Sequence, residues 1–153
     1  MAPSRSPELD PQRPYCSIER ALIVLTDRWA FLVMREALLY DVERFADFRE
    51  RLDIATNILT NRLDRLVQAG VLERTEYREP GSRTRPAYRP TPAGRDLTVV
   101  LGALQQWGDE HVPREDGPTM TRREQGSAAP LRVDFVRDDG PSVPLDRVEF
   151  ARV

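Results

Sequence analysis

Lysine is absent from this 153-residue chain, and cysteine and histidine occur only once each. A single cysteine, Cys16, cannot close an internal disulfide, which agrees with a reducing compartment. His111 and Cys16 are far apart in the sequence and make a poor nucleophile–base pair, and no Cys/His cluster has metal-binding spacing. A glycine-rich phosphate loop is also missing. We therefore expect no enzyme, no metal and no cofactor.

Long apolar runs are missing as well. No stretch approaches the roughly 20 apolar residues that a membrane span requires. The N-terminal sequence MAPSRSPELDPQRPY lacks the apolar core of a secretory signal. We expect a cytoplasmic protein whose 40% of hydrophobic residues supports a compact core for about 100 residues.

Basic charge is concentrated in one segment of the chain. The whole sequence has a net charge of −2, but the range 49–95 contains ten arginines and six acidic residues and is therefore +4. Phosphate binding requires a local basic face rather than a basic protein, and the planar arginine fork suits phosphate and the minor groove. The alternative is a solvated face of mixed charge.

Composition divides the chain into four parts. Residues 1–14 contain four prolines and few large apolar side chains, which predicts a disordered arm. We predict one domain over 15–112, followed by a polar linker rich in Gly, Pro and Ser over 113–130. In 131–153, alternating apolar residues around an Asp139-Gly140 turn predict a β-hairpin extension. A lone hairpin is marginal in water, so it should pack on the domain or on a partner.

Apolar spacing predicts helices at about 16–25, 28–39, 44–52 and 55–69. Gly70 stands where a left-handed residue would end the fourth helix. VLERTEYRE and RPAYRPT alternate as two strands around a PGSRT turn. Thr91 as N-cap and Pro92 after it start a last helix that runs to about Glu110. The fold class is mainly α with a small antiparallel β wing.

The fourth helix has two different faces. Leu59, Leu63, Leu66 and Val67 form an apolar face that should dock on the second and third helices. The opposite face carries small polar side chains, namely Thr56, Asn57, Thr60 and Asn61. A polar helix followed by a basic hairpin is the outline of a winged helix-turn-helix DNA reader. An ordinary surface helix is the alternative.

Four motifs in order make the chain resemble the HxlR family of bacterial winged helix-turn-helix regulators, within the MarR-like superfamily. They are Cys16 before an amphipathic helix, Trp29 opening the second helix, LTNRL with Gly70-Val71-Leu72, and Tyr88 followed by Thr91-Pro92-Ala93-Gly94. The resemblance covers about Tyr15 to Glu110. It implies a homodimer in which the first and last helices form the interface. The candidate interface residues are Leu22, Leu25, Leu101, Leu104 and Trp107, with intramolecular core as the alternative.

Three positions depart from the family pattern. Ala55-Thr56 replaces the frequent Ser-Pro at the start of the recognition helix, so the usual cap is absent and Thr56 is the stand-in. Asn57 stands where the family often has Lys or Arg, so the base preference should differ. Thr26-Asp27 replaces the usual Gly pair before Trp29.

The recognition helix and the wing supply the candidate DNA contacts. Asn can bond adenine through two atoms, and the Thr methyl group can touch the thymine methyl. Arg62 and Arg65 suit phosphates, whereas Arg83 and Arg85 at the wing tip suit a minor groove or the backbone. The complete set is Thr56, Asn57, Thr60, Asn61, Arg62, Arg65, Arg83 and Arg85. A solvated charged hairpin is the alternative for the wing.

These features predict a sequence-specific double-stranded DNA-binding regulator, expected to be a repressor, that acts as a homodimer on an inverted-repeat operator. Release by an electrophile, an oxidant or a small ligand is part of the hypothesis. Cys16 is the candidate sensor, because a thiol before a helix feels the positive end of its dipole. The alternative is that Cys16 is a small, half-buried structural residue at a dimer interface. The rival function is a winged-helix protein-interaction module without specific DNA binding.

Overall fold

The computed structural model describes residues 16–151, so the predicted arm over 1–14 lies outside the described residues. The chain divides into two compact units, Met1–Thr98 and Val99–Val153. No helix in the described range is long and apolar enough to cross a membrane.

Five helices and one two-stranded sheet follow each other along the chain. They are α1 (Ser17–Val24), α2 (Arg28–Leu39), α3 (Phe45–Leu52), α4 (Thr56–Gln68), β1 (Leu72–Tyr77), β2 (Arg85–Pro90) and α5 (Pro92–His111). Each element predicted for the domain over 15–112 is present, with ends within two residues of the prediction. The winged helix-turn-helix fold is confirmed.

The core of the first unit lies where α2, α3 and α4 meet. Leu59, Leu63 and Leu66 of α4 are fully buried and pack in one cluster with Phe48 of α3 and Met34 of α2. Because these leucines repeat at three- and four-residue spacing, they fix which face of α4 is turned inward. The polar residues predicted on the opposite face are thereby turned outward.

Glu36 of α2 is the buried charged side chain of this core, with 2% of its surface exposed. Its two carboxylate oxygens accept hydrogen bonds from different arginines, Oε1 from Arg35 Nε at 2.9 Å and Oε2 from Arg51 Nε at 2.5 Å. A buried carboxylate is costly unless it is paired in this way. Since Arg51 belongs to α3, the pair ties α3 to α2 and so supports the platform on which α4 rests.

The end of α4 is a Schellman motif. Gly70 has a left-handed φ of 73°. Its N–H donates to the carbonyl of Val67 at 3.0 Å, and the N–H of Val71 donates to the carbonyl of Leu66 at 3.1 Å. Glycine adopts this conformation without steric cost, so the predicted role of Gly70 is confirmed. The motif turns the chain from α4 directly into β1.

The two strands form an antiparallel ribbon in which Leu72 pairs with Pro90 and Tyr77 with Arg85. The other edge of β2 is covered by the segment before α3. Tyr88 N–H donates to the Glu43 carbonyl at 2.8 Å, and Arg44 forms a bridge with Ala87. The ribbon is therefore anchored at its base on the helical core.

The predicted cap of α5 is confirmed and has a second role. The Thr91 hydroxyl accepts a hydrogen bond from Gly94 N–H at 3.1 Å and donates to the Gly70 carbonyl at 2.6 Å. A Cβ atom on Gly94 would lie 2.0 Å from the Val71 carbonyl oxygen. The Thr-Pro-Ala-Gly motif therefore joins the start of α5 to the end of α4 by close backbone contact.

The second unit contains most of α5 and the C-terminal segment. Residues 113–130 form no helix or strand. Gln106 exchanges two hydrogen bonds with the backbone of Val133, each 3.0 Å long, and Gln105 donates to the Met120 carbonyl at 2.7 Å. None of the described residues 99–151 is buried. The apolar side chains of this unit thus remain accessible.

The predicted C-terminal hairpin is only partly formed. The turn at Asp139-Gly140 is present, but it joins a single bridge between Val136 and Ser142 rather than two strands. Pro141 and Pro144 lack the N–H groups that a ladder needs. A short 3₁₀ turn, Leu145–Arg147, follows instead of a second strand.

Candidate nucleic-acid interface

The outward face of α4 is polar at its N-terminal end. Thr56, Asn57 and Thr60 are exposed, and Asn61 is partly exposed. The N-cap residue is Ala55, which has no side chain to bond the first N–H groups. The expectation that Thr56 stands in for the cap is wrong, because Thr56 is already the first helical residue. The first-turn N–H groups therefore carry no side-chain partner and are open to an anion such as a phosphate.

The polar side chains of α4 differ in how much of their hydrogen-bonding capacity is already used. Thr60 Oγ1 donates to the Thr56 carbonyl at 2.8 Å, which leaves the Thr60 methyl group as its apolar contact. Asn61 Oδ1 accepts a bond from Arg62 Nη1 at 2.6 Å. Within residues 16–151, Asn57 makes no side-chain hydrogen bond, so both its amide atoms are available.

Arg62 is engaged with α2. Its Nε donates to Asp27 Oδ2 at 2.8 Å, its Nη2 donates to the same oxygen, and only 20% of the side chain is exposed. The phosphate contact predicted for Arg62 thus competes with an ion pair inside the protein. Arg65 is partly exposed, and its buried Nε has no hydrogen-bond partner among the described residues.

Asp27 is the residue that sequence reasoning missed. Its other oxygen, Oδ1, accepts the N–H groups of Trp29 at 3.0 Å and Ala30 at 3.1 Å, so Asp27 is the N-cap of α2. The hydrogen bond from Arg62 and these two N–H groups lower the pKa of the Asp27 carboxyl against the opposing effect of burial. The sequence indicates the cap, because Asp27 stands directly before the helix that begins at Arg28-Trp29. It does not indicate the pairing with Arg62.

The tip of the wing carries two arginines that make no side-chain contact with an acidic residue or a carbonyl among the described residues. Arg83 and Arg85 are exposed and form no ion pair within the described part of the chain. By contrast, Arg89 is bound to Glu43 at 2.9 Å on the stem, and Arg78 Nε donates to the Ser82 carbonyl at 3.2 Å. The wing tip therefore carries two exposed positive charges that no acidic side chain neutralises within the described residues.

Arg44 steadies the first strand of the wing and was also missed. Its guanidinium stacks over the Tyr77 ring at 4.7 Å and pairs with Glu79 at 2.7 Å. The acidic side chain nearest to the tip in the sequence is thereby neutralised. The tip should remain positive as a result.

This arrangement of a docked polar helix and a basic ribbon matches a known group of proteins. The family model described as HxlR-like helix-turn-helix matches residues 24–116, more than half of the chain. The chain belongs to the HxlR family. It therefore stands among the helix-turn-helix transcriptional regulators.

Relatives with this family's architecture extend the comparison. The chain is 40% identical over 107 residues to Rv3095 of Mycobacterium tuberculosis, an uncharacterised HTH-type transcriptional regulator. The match covers 70% of this chain, which spans just under two thirds (66%) of that relative's length.

Two solved structures are similar over nearly the whole chain. PA1607, described as a candidate transcription factor, superposes with a TM-score of 0.79 at 30% identity and covers 92% of this chain and 97% of its own. PA1374 of Pseudomonas aeruginosa, described in the same way, has a TM-score of 0.62 at 37% identity, covering 90% and 92%. The likeness to PA1607 therefore continues beyond residue 116, where the HxlR match ends.

Cys16 of this HxlR chain caps α1. Its exposed Sγ accepts the Glu19 N–H at 3.4 Å. Arg20 Nη2 donates to Ser17 Oγ at 2.9 Å. The thiol is exposed in the single chain, and its burial at a dimer interface stays the alternative.

The candidate dimer residues fall into two groups. Leu25 is 5% exposed and belongs to the core of the first unit, which fits the intramolecular-core alternative. It closes α1 onto the core through apolar packing. Leu22 on α1, and Leu104 and Trp107 on α5, are half or more exposed, while Leu101 is intermediate. Ile18 and Val100 add exposed apolar surface to the same two helices.

Proposed function

We propose that this chain binds double-stranded DNA sequence-specifically, as a homodimer on an inverted repeat, and represses transcription from that operator. The observation that carries the proposal is the pairing of two surfaces in the first unit. One is the uncapped, polar N-terminal end of α4, and the other is the wing tip with its unpaired arginines. Such a helix suits the major groove, and such a ribbon suits the adjacent backbone or minor groove.

The proposed contacts separate into two kinds. Asn57, with both amide atoms available, suits direct reading of a base edge, and Asn61 and Thr60 lie one turn further along the same helix. Arg83, Arg85 and the first-turn N–H groups of α4 suit phosphates and should carry the salt-dependent part of the affinity. Arg65 is a further proposed phosphate contact. Arg62 becomes one only if DNA displaces Asp27.

A second copy of the chain is the proposed occupant of the exposed apolar surfaces on α1 and α5. Leu22, Leu104 and Trp107 are 52%, 50% and 59% exposed, although large apolar side chains are usually covered. The absence of any buried residue in the described range 99–151 supports the same proposal, because a unit of that size needs a core. Two-fold pairing would also place two α4 helices on two half-sites.

The proposed control point is the Cys16 thiol. Because the thiol is exposed at the start of α1, an electrophile or oxidant can reach it, and α1 is a proposed dimer helix. Modification would therefore weaken the dimer and release DNA. Rapid alkylation at neutral pH and loss of the response in Cys16→Ser are expected. Slow alkylation, or a full response in Cys16→Ser, would remove Cys16 as the sensor.

Selection of bound duplexes from a random pool tests the proposal directly. We expect an enriched inverted repeat whose half-sites are about one helical turn apart, and a reporter gene behind that repeat should be repressed. The rival function, a winged-helix module for protein contacts, predicts no enriched sequence. It also predicts equal, weak retention of all duplexes at about 0.15 M salt.

A further inference from the structure

The Asp27 carboxylate lies between the start of α2 and the middle of α4 and uses both of its oxygens. Oδ1 accepts the N–H groups of Trp29 and Ala30, while Oδ2 accepts two N–H groups of Arg62. The cap and the ion pair are therefore properties of a single side chain. Fixing the carboxylate at the helix start also fixes the plane of the Arg62 guanidinium.

The fixed guanidinium of Arg62 in turn orients the side chain of Asn61. With Nε and Nη2 bound to Asp27, the remaining Nη1 donates to Asn61 Oδ1 at 2.6 Å. All three guanidinium nitrogens are therefore in use. Asp27, Arg62 and Asn61 form a chain of hydrogen bonds that runs from the core side of α4 to its outward face.

This chain of hydrogen bonds determines which amide atom Asn61 can offer to a ligand. A guanidinium has only donors, so the amide oxygen of Asn61 must face it, and a flipped amide would place N–H against N–H. The amide nitrogen is then the group left for a base edge. Asn57 is not restricted in this way, because it makes no side-chain hydrogen bond within residues 16–151.

We propose that Asp27, acting through Arg62, sets the base preference of α4 by holding Asn61 as a hydrogen-bond donor. Asn61 then reads an acceptor in the major groove, such as purine N7, guanine O6 or thymine O4. Only Asn57 is free to make the two-atom contact that identifies adenine. Asp27 and Arg62 are positioning residues in this scheme, and the inference rests on the proposed DNA reading by α4.

Two variants break the chain of hydrogen bonds at different points. Asp27→Ser keeps an N-cap oxygen for α2, since serine is a good cap, but it removes the partner of Arg62. Arg62→Met keeps the Asp27 cap and removes the guanidinium. If one variant fails to fold, as judged by circular dichroism, the other still tests the proposal. Asp109→Asn, which breaks the pairing with Arg122 in the second unit, is the matched control.

The assay measures the affinity of the full chain for a selected operator and for each of its single-base variants. Asn61→Ala identifies the base position that Asn61 reads. At that position, Asp27→Ser and Arg62→Met should each reduce discrimination by roughly tenfold, with no change elsewhere. The double variant Asp27→Ser with Asn61→Ala should lose no more discrimination than Asn61→Ala alone.

Other outcomes would overturn the proposal. Unchanged discrimination in a folded Asp27→Ser variant would reduce Asp27 to a cap and leave the proposed function intact. Additive losses in the double variant would show that Asp27 does not act through Asn61. A wild-type chain without any base preference would overturn both this inference and the proposed function, so the two failures are distinguishable.

Discussion

Replacing Arg83 and Arg85 by alanine tests the wing most directly. Both side chains are exposed and have no acidic partner in the described structure, so their removal should leave the fold and the core unchanged. Each of these two arginines can contact one phosphate, and the proposed dimer presents four such arginines. Each phosphate contact contributes about 0.9 to the slope of log affinity against log salt concentration. The slope should therefore become shallower by about 3.6 for a dimer.

The affinity change should not depend on the operator sequence, because phosphates carry no base information. Gel shifts or fluorescence anisotropy between about 50 and 200 mM salt measure both the slope and the affinity, on the selected operator and on a scrambled duplex. The matched control is Arg114→Ala with Arg137→Ala, which removes the same charge from two exposed arginines that already pair with Asp116 and Asp139.

Two results would refute this reasoning. An unchanged salt slope in the Arg83/Arg85 variant would show that the wing tip does not contact the backbone. An equal change of slope in the control would show that net charge, rather than the position of the arginines, governs binding. A loss confined to certain base pairs would move these arginines from phosphate contact to base reading.

Three further predictions concern stability and assembly. Gly94→Ala should lower the free energy of unfolding by about 3 kcal/mol or more in urea titrations, because its Cβ would overlap the Val71 carbonyl; a smaller loss would show that the junction can relax. Leu104→Asp should convert dimer to monomer in light scattering while keeping the circular dichroism spectrum, and a persistent dimer would exclude α5 from the interface. The lowered pKa of Asp27 means that its stabilising contribution is full above the unfolded-state pKa of about 3.9 and is lost as pH falls through the lower folded-state pKa. The stability gap between wild type and Asp27→Ser should therefore be constant above about pH 5 and shrink below about pH 4; a constant gap would contradict the pairing with Arg62.

The helices and the wing could be predicted because their signals are local. The three- and four-residue spacing of leucines in α4 determines its buried face, and Gly70 and Thr91 mark an end and a start by backbone geometry alone. Local patterns cannot identify partners that are distant in sequence. Asp27 and Arg62 are 35 residues apart, and only the packing of α4 on α2 brings them together.

Two further outcomes depend on features that apolar spacing alone does not show. Leu25 fits the apolar stripe of α1, but the stripe does not state which residues turn toward the core. The alternation in 131–153 suggested strands, whereas Pro141 and Pro144 remove the N–H groups that would have held them. The turn between Arg137 and Gly140 is present as predicted, closed by a hydrogen bond of 3.1 Å from the Gly140 N–H to the Arg137 carbonyl.

The junction between α4 and α5 is held by direct contacts between the two helix ends. One hydroxyl, that of Thr91, bonds both Gly70, directly after α4, and the first turn of α5, and Gly94 lacks the side chain that would separate the two. There is no slack linker at this point to absorb motion. The first turn of α5 is therefore fixed directly against the end of α4, and a change at either Thr91 or Gly94 would alter the end of the recognition helix.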